Sequence, residues 1–248
     1  MDSRLRSLAV AAVVLAGTAV CVGLGFWQIS RLHEKQALNA ALRESLAAVP
    51  RALGPGLVPA DSVVARPVEV RGRYDETRQV LLVDRTHDGT PGVEVVTPLV
   101  PAGATWAVLV DRGWLPSPDA SSARPQDCAE PGERVVRGLP QPLPRGAPRT
   151  GDTRSAELRT LEVDSVRVWT TVRLDADSLA TRFPYALAPY VVRALPGPGV
   201  PTRPLRLPPH PYDEFMHVSY AVQWFLFGAI LLGGSLIVAW RRRRGRAR

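Results

Sequence analysis

The sequence predicts a membrane protein in which two transmembrane α-helices at the chain ends flank one mainly β extracytoplasmic domain, an antiparallel sheet or small barrel of the α+β kind. Three observations carry this expectation. Long apolar segments occupy residues 8–29 and 216–240, and a hydrocarbon core of ~30 Å needs roughly 20 helical residues at ~1.5 Å each. Basic residues crowd the outer flank of each segment. Between them lie short β-branched runs bounded by Gly and Pro, the pattern of strands and turns.

The N-terminal residues 1–7 carry Arg4 and Arg6, and the second apolar segment runs straight into a tail, 241–248, whose six arginines supply most of the formal +8 charge. Basic flanks stay on the cytoplasmic side, which puts both termini inside and residues 30–215 outside. A nucleic-acid binder carries its charge on the folded domain, so this distribution argues against nucleic acid and for topology and contact with the lipid bilayer. The first segment is longer than a signal-peptide core. Gly25-Phe26-Trp27-Gln28 stands near its end in place of a cleavage site, so it reads as a retained anchor. The span begins too early to leave room for a mitochondrial presequence, and a bacterial plasma membrane with two crossings is the expected location. Cys21 and Cys128 fall in different regions and are not expected to pair.

After the first span, Leu32, Leu38, Leu42 and Leu46 recur near helical spacing among charged residues, which predicts an amphipathic helix over 30–49. A Pro/Gly-rich connector follows from Pro50 to Pro59. Residues 66–195 then read as mainly β, with strands over Arg66–Tyr74, Gln79–Asp84, Val93–Leu99, Trp106–Val110, Arg134–Leu139, Val166–Leu174 and Tyr190–Leu195. A short helix over Asp175–Arg182 takes Asp175 or Asp177 as its cap. Residues 140–157, rich in Pro, Gly, Arg and Thr, read as an exposed loop.

No G-x-S-x-G, H-E-x-x-H or phosphate-binding loop is present. The histidines of the outer region (His33, His87 and His210) lack metal-ligand spacing, so the domain is expected to bind rather than catalyse. The sharper candidate lies in the second span. His217, Tyr220, Trp224, Phe227 and Leu231 recur at three- and four-residue steps on one helical face. An ionisable residue in a span marks function, while His, Tyr and Trp near a span's end also serve as interface anchors; both readings stay open on these grounds. In the first span Ala12, Ala16, Ala19 and Gly23 form a stripe of small residues suited to close helix contact.

These residues also fall into motifs. Gly25-Phe26-Trp27-Gln28 with Arg31 and Lys35, Val70-Arg71-Gly72-Arg73-Tyr74, Asp84-Arg85, the run from Gly92 to Pro98 and Leu99, Val108 to Trp114 and Pro116, and His217-x-x-Tyr220-x-x-x-Trp224 occur in order. Together with the two-span layout they resemble the Surfeit-locus-one family of cytochrome c oxidase assembly factors. The resemblance is loose over 140–165, and beyond it Trp169 and Asp175 match only approximately. It implies a non-enzymatic membrane protein that binds haem a and assists its insertion or retention in the oxidase catalytic subunit. Partners would be that subunit and the enzymes of haem a synthesis. His217 would be the haem ligand, with Tyr220, Trp224 and Phe227 flanking the macrocycle, and no other metal is expected. Arg112 and, more weakly, Arg85 either bind haem propionates or form internal ion pairs. Among the motif residues, Gly72 and Gly113 are expected at tight turns or bulges, and Trp27 and Trp114 at a membrane-proximal surface. A haem-independent scaffold for the oxidase intermediate is the alternative; a sensor and a membrane-anchored enzyme fit less well.

Overall fold

A computed structural model describes residues 3–64, 66–146 and 157–246. The chain divides into two compact units. One comprises the residues up to Glu44 and those from His210 onward, and the other is Ser45–Pro209.

The first unit is a helical pair. Helix α1 runs unbroken over Ser3–Ala47, so the expected span and the amphipathic stretch after it are one helix. Nothing interrupts it, because no Pro or Gly falls between Gly25 and Pro50. The partner helix, which closes the chain and is α3 in order, covers Phe215–Arg246. Each contains a segment long and apolar enough to cross a membrane, and only 11% of either apolar window is buried. Apolar side chains this exposed require a non-aqueous surrounding.

The second unit is β-rich. Its elements are β1 (Arg51–Leu53), β2 (Val68–Tyr74), β3 (Val80–His87), β4 (Thr90–Pro101), β5 (Trp106–Pro116), β6 (Glu133–Pro142), β7 (Arg159–Val163), β8 (Val166–Thr171), the short helix α2 (Ala176–Ala180) and β9 (Ala186–Ala194). The strands form one sheet in the order β1-β2-β6-β9-β5-β4-β3-β8-β7, and an extra β2–β4 pairing closes β2, β6, β9, β5 and β4 into a five-stranded barrel. Closure depends on the length of β4. Its earlier residues pair with β3 and β5, and Leu99–Pro101 then turn to meet Tyr74–Gly72 of β2. Most ladders are antiparallel, as expected, but β1–β2, β3–β8 and β5–β9 are parallel.

Alternation along the strands builds three apolar clusters, two of which meet across the middle of β5. Val68, Val70, Val108, Val110, Val136, Tyr190 and Val192 fill the barrel. On the outer face Val80, Leu82, Val96, Leu109 and Val191 meet Leu179 and Phe183 beside α2. Strand β5 thus buries both faces, and each fully buried Val or Leu contributes about 1.5–3 kcal/mol. The Asp175 carboxylate accepts from Ser178 N–H at 3.1 Å and caps α2.

Two expectations are corrected. The Pro50–Pro59 connector contains β1, a three-residue strand held by Arg51 N–H donating to Pro67 O at 2.9 Å. In the 140–157 region, β6 continues through Pro142 and Leu143 is buried, its N–H bonded to Pro189 O at 3.0 Å. The alternation of Leu139 and Gln141 outweighs the prolines, since Pro140 sits in the β6–β9 ladder opposite Val192. Residues 147–156 of that predicted loop lie outside the described residues.

Candidate functional site

In the helical pair the contact face of α1 is not the predicted Ala/Gly stripe. Ala12, Ala16 and Ala19 are exposed, and a side chain at Gly23 would meet nothing within 4 Å. The seam instead runs through Gly17, Cys21, Gly25 and Gln28, against Leu231, Gly228, Phe225 and His217 respectively. Gly25 makes room there, because a Cβ would lie 2.7 Å from the Phe225 ring and force that ring to shift. Phe26 then meets the same ring edge-on with centroids 5.4 Å apart. Alanine is common on several faces of α1, so composition alone cannot select the contact face; the fit of glycine to ring does.

His217 is half-buried on this seam, and its Nδ1 lies 2.8 Å from Gln28 Oε1. Among the described residues its Nε2 meets no hydrogen-bonding partner. Of the aromatic residues predicted to accompany it, Trp224 is half-buried and packs edge-on with Phe227 at 6.0 Å. Tyr220 and Phe227 are about half exposed, at 46% and 50%, and form an outward apolar flank on the same helix. Trp27 is also outward, at 51%, with the Arg31 guanidinium 5.7 Å from its ring centroid and Glu34 2.7 Å from Arg31.

Sequence reading missed a second polar contact. Asn39, 2% exposed, donates from Nδ2 to Tyr212 O at 3.0 Å and to Glu214 Oε1 at 2.7 Å, while Tyr212 N–H donates to Asn39 Oδ1 at 2.8 Å. Lys35 sits over the Tyr212 ring at 4.1 Å. The only signal in the sequence is a lone Asn at a helix position flanked by Leu and Ala, where an unpaired amide is unfavourable.

In the β domain the predicted arginines are ion-paired. The register between β4 and β5 slips between Val95, opposite Gly113, and Val96, opposite Asp111. Arg112 is therefore the extra residue of a bulge. The bulge sends its side chain inward, where it has no exposed surface. Nη1 donates to Glu76 at 3.1 Å; Nη2 donates to Glu130 at 2.9 Å and to the Cys128 carbonyl. Arg206 also pairs with Glu130, and the Tyr74 ring stacks against Arg112 at 4.8 Å. Burial pushes the Tyr74 phenol upward despite this neighbouring cation. Of the two alternatives for Arg112, the ion pair is formed through Nη1 and Nη2, and Nε is left without a partner among the described residues.

Arg85 pairs with Glu94 at 3.0 Å and donates to Val172 O at 2.9 Å. Arg193 bridges Glu94 at 3.5 Å and Asp111 at 3.3 Å. Burial, with Glu94 close by, pushes the Asp111 carboxyl up to about 6 against the pull of Arg193. Sequence reading missed Glu76, Glu130 and Arg206, which lie far from Arg112 along the chain. Cys21 and Cys128 are free thiols.

The remaining motif positions lie in strands β2, β4 and β5. Gly113 combines φ +119° with close approach to the Leu205 carbonyl, as its predicted place at a bulge requires. Gly72 is not at a turn; it lies within β2 where that strand closes on β4, and a Cβ would strike the Val100 carbonyl. Gly92 lies under the Trp114 indole. Trp114 is 8% exposed and packs on His87 at 5.4 Å, so it belongs to the domain interior and not to a surface. Pro98 stands opposite Leu109 in the β4–β5 ladder, and its carbonyl accepts from Asp75 N–H at 2.8 Å.

Residues 15–229 match the model of the SURF1 family. The chain belongs to the SURF1 family. Among its relatives, Surfeit locus protein 1 of Mus musculus is 30% identical over 112 residues, covering 40% of this chain and 37% of the relative. The SURF1-like proteins of Drosophila melanogaster and Rickettsia felis are each 31% identical, over 113 and 108 residues, covering 38% and 45% of those proteins. Each of these matches therefore spans less than half of the relative's length. The run Gly25 to Gln28, midway along α1, has a physical meaning here: Gly25 admits Phe225, Phe26 packs on it, and Gln28 reaches His217.

Proposed function

We propose that this SURF1-family protein is an integral-membrane, non-enzymatic assembly factor for haem–copper cytochrome c oxidase, and that it holds haem a through His217 while the cofactor is placed or retained in the catalytic subunit. One observation carries the haem reading. His217 has one ring nitrogen engaged by Gln28 and the other unpartnered among the described residues, beside the exposed Tyr220–Phe227 flank. A neutral imidazole ligates haem iron axially. No group of three or more metal-ligating side chains occurs among the described residues. A lone imidazole therefore suits a macrocycle that brings its own equatorial donors better than it suits a free metal ion. The apolar flank would cover the macrocycle and its isoprenoid tail, and a single axial bond suits cargo that must be released.

The arginine flanks support a plasma-membrane protein with both termini cytoplasmic and the β domain outside. The oxidase catalytic subunit is then the principal partner, and the enzymes that make haem a are candidates for supplying the cargo. Purification in mild detergent after co-expression with haem a synthesis tests the reading. Wild type should carry a haem absorbance, and His217→Ala should lose it. Equal haem in both proteins removes the ligand assignment. If oxidase subunits still co-purify with His217→Ala in that case, a haem-independent scaffold is what remains.

A further inference from the structure

Gln28 is 9% exposed and lies on the same face of α1 as Cys21 and Gly25, its side-chain oxygen 2.8 Å from Nδ1 of His217. A carboxamide oxygen only accepts. A hydrogen bond in this orientation therefore requires the proton on Nδ1, and a neutral ring then has none on Nε2. We infer that Gln28 is a positioning residue that locks His217 as the Nδ1–H tautomer and presents the Nε2 lone pair as a donor. The purpose of that lone pair rests on the haem reading above; the tautomer does not.

Two features of the helical pair hold this contact in place. About one turn before Gln28, the Phe225 ring occupies the space that Gly25 leaves open. About three turns after it, Asn39 clasps Tyr212 and Glu214 with both ends of its amide. A slip of one residue between the helices would break all three contacts. Gln28 meets no other hydrogen-bonding side chain among the described residues, so without His217 its amide would be left unsatisfied in an apolar span. A neutral acceptor also orients the ring without adding a charge there. The partner on a ligand's second nitrogen conventionally fixes both tautomer and ring orientation.

The test uses the full chain in detergent, free of haem, with 15N-labelled histidine. The His217 signals are assigned from their absence in His217→Ala, among the four histidines of the chain. The expected wild-type spectrum has a protonated Nδ1 and a bare Nε2, and Gln28→Leu shifts the ring toward the Nε2–H form. A wild-type ring protonated on Nε2 overturns the inference without requiring any variant at Gln28 to fold. An unchanged spectrum in Gln28→Leu overturns it as well. In the haem-loaded protein, Gln28→Leu should still bind haem but release it about 10–100-fold faster to an acceptor. Unaltered release would show that Gln28 does not act through the ligand. Haem retained in His217→Ala would instead defeat the ligand reading, and the tautomer result would stand apart from that failure.

Discussion

The β domain takes charge inside, whereas the helical pair keeps it off the seam within the spans. Arg112 is wholly buried between Glu76 and Glu130, and Arg206 shares the second carboxylate. The seam between α1 and α3 relies on Gly17, Cys21, Gly25 and Gly228 at close approach and on the Gln28–His217 contact. The difference follows from the two solvents. In water, apolar burial drives the barrel together, and a buried ion pair then selects one arrangement at the cost of desolvation. In lipid, apolar burial between helices gains little, so close packing and a few hydrogen bonds must specify the pairing.

The largest effect that sharpens this contrast is expected from Arg112→Met. Removing the cation leaves Glu76 and Glu130 under-compensated in the core and should cost the domain about 3–5 kcal/mol, read as a fall in the thermal midpoint of the full chain in detergent. A loss under about 1 kcal/mol would mean that the buried charges add nothing to specification.

Gly25→Ala comes next. The added methyl meets Phe225 and should weaken the helical pair by about 1–3 kcal/mol, measured as loss of energy transfer between labels on α1 and α3. Phe225→Leu in the same chain should recover much of that loss. Strictly additive effects would show that the two residues do not meet.

The smallest effect concerns Asp111. Its folded-state value, about 6, lies above the ordinary 3.8, so the folded domain holds an extra proton between those values. Stability from this group is retained below about 3.8 and lost as pH rises through 6, because ionisation there is opposed by burial. The thermal midpoint of Asp111→Asn should therefore fall less than that of wild type between pH 5 and 7. Parallel profiles would rule out Asp111 as the titrating group.

Several elements were legible because local chemistry decided them. β2 alternates cleanly around Val68 and Val70, and α2 announces itself by the Asp175 cap. β1 and β7 were not legible: three residues beside Pro50 and five after a Pro/Arg-rich run give no usable period. The parallel ladders were invisible for a different reason. Alternation states which face a residue takes, not which strand it meets. The same limit applied to the sites. His217 stood out as an ionisable group in an apolar run, but Gln28 as its partner could be known only from the packing of α1 on α3. Arg112 was recognised as significant, yet its burial required the bulge, and a bulge shows only once two strands are aligned.

One strand ties the β domain together in a way that bears on how it comes apart. Since β4 carries ladders to β2, β3 and β5, the barrel and the outlying β3, β8 and β7 share a backbone. The outlying strands are thus rooted on a strand of the barrel wall itself. The domain should then behave as a single cooperative unit, with amide protons of Val95, Val96, Thr97 and Leu99 exchanging only through global opening and those of β7, at the sheet's edge, exchanging through local fraying.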